Sequence, residues 1–281
     1  MHTAKLSITE KSPGVAARPP LTAEEKQALK RAFADDGYFV VRNVVPSDRL
    51  AQLHRDVVNA FEEARRSGAL FTGGGLMSGH LNCFPGAGSR FVYDALEECG
   101  LIDLIRELDP RIQRMPYVGC NLNLPGSVTQ HYHTDRDFTR EFLIANITLV
   151  DTNEENGATE MIPGTHKKYY PYWRFVMEGV ARNSVRVSTQ RGDVMVRSSN
   201  VWHRGMPNRT SEPRPMMALT WEDGGSVRED PFSVEDGRIT FRPNWFHPTL
   251  LGRLRERLFV TVPFSYSALR FVHSFFGKKG Y

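Results

Sequence analysis

From about residue 115 to residue 221 the chain reads as short β-prone runs separated by turn signals, a pattern few folds can absorb. One run surrounds Val118, Asn121 and Asn123. Gln130 to Asp135, Leu143 to Val150, Arg186 to Ser188, Asp193 to Arg197 and Met217 to Trp221 follow. Glu155-Asn156-Gly157 and Pro163-Gly164-Thr165 carry the Asn-Gly and Pro-Gly chemistry of tight turns. No helical periodicity intervenes, so the pattern predicts strands that close on one another as a barrel or a double-sheet jelly roll. A chain of 281 residues is long enough to give such a sheet a full core within one large domain.

Ahead of this series the signals are helical. Residues 1–20 are polar, hold three prolines and lack periodicity, which predicts a loose tail. Thr22-x-x-Glu25 is a capping box opening a helix with Leu29 and Phe33 on one face, and Gly37 stands where a C-cap glycine belongs. Tyr38 to Val41 is a short β-rich run. Ser47 is placed to cap a second helix, in which Leu50, Leu53, Val57 and Phe61 recur at helical spacing. The glycine-rich stretch from Gly73 to Gly88 has neither a preceding strand nor a phosphate-loop lysine. It predicts a mobile loop beside a pocket, with His80 and Asn82 as candidate substrate contacts.

The formal charge of +4 is spread along the chain with no basic arm, so no nucleic-acid partner is expected. Cys83, Cys99 and Cys120 are odd in number and lack metal-ligand spacing, which argues against a secreted disulfide framework. The N-terminus shows no signal-peptide pattern and no apolar run approaches twenty residues. The expected setting is a reducing cytoplasm, and the expected partner a small molecule.

Residues with metal-binding chemistry stand within the β-prone region. His133 and Asp135 are two apart, so a strand would aim both at one face. His203 follows the run ending at Arg197. Two imidazoles and a carboxylate on one side of Fe(II) leave three positions, enough for a bidentate 2-oxo acid and O2. The triplet alone equally fits an ordinary solvated strand. Arg214 alters that balance, because a planar, permanently charged fork suits the distal carboxylate of 2-oxoglutarate.

Taken in order, Asp36-Gly37-Tyr38, His133-Thr134-Asp135, Glu155-Asn156-Gly157, Pro163-Gly164-Thr165-His166, Gly192-Asp193-Val194, Trp202-His203-Arg204-Gly205 and Arg214 resemble the phytanoyl-CoA hydroxylase family of 2-oxoglutarate oxygenases. The likeness runs from about residue 20 to residue 221. It implies a mainly β fold, a double-stranded β-helix (jelly-roll, cupin-like) core with flanking helices. By position, His133, Asp135 and His203 become ligands of Fe(II), and Arg214 anchors 2-oxoglutarate, which is consumed with O2. Asn146 matches a place from which relatives reach the co-substrate. Asn121 and Asn123, on one face of a strand ahead of the triad, are candidates for the same role, with ordinary strand or turn roles as the alternative for all three. Because Asp135 is a carboxylate, halogenation is disfavoured.

The division expected is a tail over 1–20, an oxygenase domain over 21–221, and an extension over 222–281 packed on or beside the core. Arg253, Arg255, Arg257, Phe271, Phe275, Phe276, Lys278 and Lys279 make the end of that extension basic and aromatic. Helices packed over the barrel are the preferred reading there, and contact with a membrane surface or an anionic carrier is the alternative. His131 is a candidate substrate contact, or a ligand in a zinc hydrolase built on His131, His133 and His203. A silent cupin-like binding protein is the other rival. His166 is assigned to its turn, His54 to a helix surface, and Trp202 and Trp221 to core or pocket wall.

Overall fold

The computed structural model describes residues 16–277, so the expected tail lies outside the described residues over 1–15. Residues 16–20 are tied down: the Ala17 amide donates to the Val44 carbonyl at 2.9 Å, and Ala16 to Glu98 at 2.7 Å. In chain order the elements are α1 (Ala23–Asp36), β1 (Tyr38–Val41), α2 (Ser47–Arg66), β2 (His80–Phe84), α3 (Arg90–Glu98) and α4 (Leu101–Leu108). Then come β3 (Tyr117–Asn123), β4 (Leu143–Thr148), β5 (Thr159–Met161), α5 (Tyr172–Met177), β6 (Val185–Val187), β7 (Val194–Ser198), β8 (His203–Arg204) and β9 (Arg214–Thr220). The chain finishes with β10 (Thr240–Arg242), α6 (Leu250–Thr261) and α7 (Ser265–Phe275).

Seven strands form one antiparallel sheet in the order β1-β7-β4-β9-β3-β2-β10, and β6-β5-β8 form a second. The strands alternate as period two requires. Leu81, Cys83, Leu122, Ala145, Ile147, Val194, Val196, Met217 and Leu219 point outward and join α2, α3 and α4 in the main core. Leu50, Leu53, Val57 and Phe61 supply the α2 side of it, as their spacing predicts. Each fully buried side chain of this size contributes about 1.5–3 kcal/mol. The other face of the large sheet carries polar groups and looks toward the small sheet, where Met161 packs on Met195.

Thr22 accepts from the Glu25 amide and closes its capping box. Gly37 ends α1 at φ +81 and also has no room for a side chain, since a Cβ there would lie 2.4 Å from the His166 ring. The Asp-Gly-Tyr corner and the Pro-Gly-Thr-His turn are thus two halves of one contact.

Several expectations need correction. Ser47 begins α2 but makes no cap, because Pro46 occupies the N-cap position. Helix does intervene in the strand series: the stretch Tyr172 to Met177 is β-prone in composition, yet packing against α7 makes it α5. Gln130 to Asp135 forms no regular strand; His133 makes an isolated bridge to His203, flanked by single backbone bonds from Gln130 to Gly205 and from Asp135 to Ser199. The glycine-rich loop contains β2, and beyond residue 221 the chain re-enters the large sheet as β10.

Candidate active site

His133 and His203 meet across that single bridge. The His133 amide donates to the His203 carbonyl at 2.9 Å, and the reciprocal bond is 3.0 Å. Their rings lie 4.3 Å apart between centroids. Each ring has its Nδ1 near a backbone carbonyl, His131 at 2.8 Å and Val201 at 3.0 Å. A carbonyl can only accept, so Nδ1 carries the proton and Nε2 keeps its lone pair free. Burial pushes His133 below its ordinary value and His203 down to about 3, which keeps both rings neutral, the form that ligates.

Asp135 is brought in by a backbone bond from its amide to the Ser199 carbonyl at 3.0 Å, just beyond β7. Burial alone would raise its carboxyl. Arg197 above all, then His203 and His133, overcome that and hold it well below the usual carboxylate range. The two oxygens are divided: Oδ2 accepts from Arg197 at 2.5 Å, while Oδ1 faces His203 Nε2 at 3.7 Å. Among the described residues, His133, Asp135 and His203 are the one group of three or more such side chains able to converge on a metal, their ligand atoms all within 4.8 Å. This donor set, neutral imidazoles and one ionised carboxylate, fits a divalent ion such as Fe(II).

Arg214 stands on β9 in the row His80–Asn123–Arg214 across β2, β3 and β9. It is 4% exposed. Its Nε donates to the Asn156 carbonyl at 3.0 Å, so the Glu155-Asn156-Gly157 turn positions it. Gly157 is needed there, since a Cβ would sit 2.4 Å from the Met206 carbonyl. Burial lowers the guanidinium to about 10, still charged at neutral pH. Among the described residues it has no carboxylate partner, and a buried charge left unpaired calls for an anion from outside. His80 faces this cation across the row, and burial first, then the Arg214 charge, pushes its ring down to about 4.

The remaining candidates separate. His80 is buried, donates from Nε2 to Val128 at 2.8 Å, and leaves Nδ1 without a partner, as is Asn123 Oδ1. Asn121 shares their sheet face and pairs in register with Asn82, which is exposed. Asn146 has its oxygen committed to Arg197 Nε at 3.0 Å. His131 does not join the metal group; its ring lies against Tyr266 at 4.5 Å, which removes the basis for a zinc site on His131, His133 and His203. His166 sits in its turn, and His54 meets the Pro213 carbonyl from α2. Trp202 and Trp221 are core residues.

Sequence reasoning missed Arg197, whose signal was a lone charge in Val194-Met195-Val196-Arg197, a strand buried throughout. It missed Arg270 of α7 as well, which donates to the Tyr132 carbonyl and lies 4.4 Å over Tyr172. Nothing in the sequence around Arg270 marks it as buried.

A sequence model of the phytanoyl-CoA dioxygenase (PhyH) family matches residues 33–216. The chain belongs to the phytanoyl-CoA dioxygenase family. Membership gives its class, an oxidoreductase of dioxygenase type. This family member is 26% identical over 232 residues to the multifunctional dioxygenase ausE of Penicillium brasilianum, covering 72% of this chain and 74% of that one. It is 34% identical over 79 residues to the dioxygenase FUM3 of Gibberella moniliformis, 28% of this chain and only 24% of that protein's length. Among solved structures it resembles the epimerase SnoN in complex with Fe3+, alpha-ketoglutarate and nogalamycin RO. That likeness has a TM-score of 0.55 at 21% identity and covers 71% of this chain and 84% of the other. HygX from Streptomyces hygroscopicus, with nickel and 2-oxoglutarate bound, gives 0.53 at 17% identity over 71% and 86%. These likenesses carry the jelly-roll fold, and no described helix is long and apolar enough to cross a membrane.

Proposed function

We propose that the protein is an Fe(II)- and 2-oxoglutarate-dependent oxygenase that oxidises a small organic metabolite, in natural-product or glycan tailoring. The observation that carries this reading is one pairing: a neutral-histidine and carboxylate metal group, and beside it a buried arginine lacking an anion. Family membership supports it, as does the chemistry printed for SnoN and for the carbocyclase SnoK, both from nogalamycin biosynthesis.

His133 Nε2, His203 Nε2 and Asp135 Oδ1 would hold the iron, and Arg214 would take the distal carboxylate of 2-oxoglutarate. Bound there, iron would let O2 oxidise 2-oxoglutarate to succinate and CO2 while a substrate C–H becomes C–OH. One oxygen atom goes to succinate and one to product. The chain's own work is positional. The His131 and Val201 carbonyls fix the ring tautomers, Arg197 keeps Asp135 ionised and confined to one oxygen, and the Asn156 carbonyl aims Arg214. His80, Asn121 and Asn123 line the co-substrate side of the sheet. Asp135 would supply the third protein ligand to the ion, which leaves no vacant protein position for a halide.

Incubation with Fe(II), 2-oxoglutarate and 18O2 tests this directly. Label should enter one succinate carboxylate, and the product too when the step is hydroxylation. Desaturation or ring closure would label succinate alone. Chlorinated product, or turnover without 2-oxoglutarate, would refute the assignment.

A further inference from the structure

The two C-terminal helices are amphipathic in the wrong direction for a core. In α2 the buried residues are leucine, valine and phenylalanine. In α6 they are Gly252 and Glu256, and in α7 Arg270 and Ser274. Each pair is four apart and defines the inner face of its helix. The outer faces hold what a soluble helix would bury. On α6, Leu251 is 79% exposed and Leu254 55%; past the end of α7, Phe276 is 77% exposed. The turn between the helices carries Phe264 at 81%. Phe264 also adopts φ +62, a left-handed conformation that a bulky residue takes only under constraint, with no burial to offset it.

The inward polar groups are bonded to the rest of the fold, although Glu256 Oε2 itself has no partner among the described residues. Glu256 Oε1 accepts from the amides of Gly75, Met77 and Ser78 at 3.0–3.1 Å, and Arg270 serves the active-site wall. The helices are therefore held in this orientation by specific bonds, and the apolar face is turned outward by construction. Among the described residues nothing covers it. Exposed apolar residues gathered on two neighbouring helices and their turn mark an interaction surface.

The charge around it selects the occupant. Between residues 249 and 277 the one acidic residue is Glu256, which is buried, while Arg253, Arg255 and Arg257 are exposed. Those three arginines make no ion pair among the described residues. A second copy of the chain docked through a two-fold axis would set arginines against arginines with no carboxylate to answer them. An exposed phenylalanine on a helix-connecting turn, leucines along the outer face, and cations without anions are instead the makeup of an interfacial lipid anchor.

We infer that the α6–α7 hairpin docks onto an anionic membrane surface, with Phe264 and the outer leucines entering the acyl boundary and the arginines meeting lipid headgroups. α7 then has two faces with two tasks, since Tyr266 and Arg270 on its inner side reach the active-site segment at His131 and Tyr132. The inference is independent of which reaction the site performs.

Co-sedimentation of the full chain with phosphatidylcholine vesicles, with and without phosphatidylglycerol, is the test. The protein should bind the mixed vesicles, with affinity falling at least ~10-fold in pure phosphatidylcholine or at ~0.5 M salt. Leu254→Glu with Phe264→Glu should abolish binding while succinate formation without lipid is unchanged. Arg253→Gln with Arg257→Gln should remove the preference for anionic lipid. Should the glutamate pair fail to fold, Phe264→Trp supplies a second readout, a blue shift and quenching by brominated lipid only with anionic vesicles. Absence of vesicle binding overturns the inference. So does a dimer in solution that Leu254→Glu splits, or binding to an acidic carrier protein with none to vesicles.

Discussion

Asp135 presents one oxygen to the metal group because Arg197 holds the other. Two consequences follow for variants. Arg197→Gln leaves a buried carboxylate without its cation, a loss of about 3–5 kcal/mol where a buried pair is broken. Its carboxyl then moves upward, so iron occupancy measured against pH should fall at a higher pH than in the parent protein. In the parent, Asp135 stays ionised through that range and the neighbouring histidines set the acid limb. Arg214→Ala acts on a different reagent: losing a buried charge-assisted pair costs roughly 2–5 kcal/mol, so 2-oxoglutarate affinity should drop at least ~30-fold with iron content preserved. Unchanged affinity in a calorimetric titration would remove Arg214 from the site. His133, Asp135, His203 and Arg214 were legible because their residue types and order are themselves the chemistry. Arg197 was not singled out, although its place in a buried strand required a partner. Asn146 read as a co-substrate contact, but its partner Arg197 comes from the adjacent strand, and sequence does not show such cross-strand bonds.

At the level of elements, α6 is tied to the loop before β2 through Glu256. Glu256→Ala strands two buried donors and one half-buried one, each buried donor worth about 1–3 kcal/mol when unmet, and should lower the melting temperature by several degrees. Glu256→Gln keeps an acceptor oxygen and should stay nearer the parent. Equal melting temperatures for both variants would show that the bonds are incidental. Five strands of the large sheet, β1, β3, β4, β7 and β9, were readable as β-prone runs, four of them in a series broken by turn signals, while β2 read as loop. α1 was readable from its capping box and C-cap glycine. The short pieces resisted for one physical reason: their structure is decided by partners. Tyr172 to Met177 has the composition of a strand and becomes helix against α7. His133 becomes an isolated bridge because its one paired residue is His203, with Asp135 tied separately to Ser199.

Across the whole molecule, burial holds His80 and His131 at about 4 and His203 at about 3, below their ordinary value near 6.5. The unfolded chain therefore binds more protons than the folded one between those values. Metal-free protein should thus be most stable above pH 6.5 and lose stability steadily as pH falls toward 4, a trend that thermal melts from pH 7.5 to 4.5 would read. A flat profile would mean that these rings are hydrated and not buried. The jelly roll was visible in the strand spacing, but the return of the chain as β10 was not, since three residues at a sheet edge leave no periodic trace. One structural detail reaches furthest. The bridge between His133 and His203 joins two points far apart in sequence with only two backbone bonds. An ion gripped by both rings would act as a removable cross-link, closing a long loop that contains β5, β6 and α5. Metal at 100 times its dissociation constant adds about 2.7 kcal/mol to the folded state. Chelation should then release the loop unevenly. Amides of β5, β6 and β8 should exchange with deuterium first, while those of β3, β4 and β9, locked in the large sheet, stay protected.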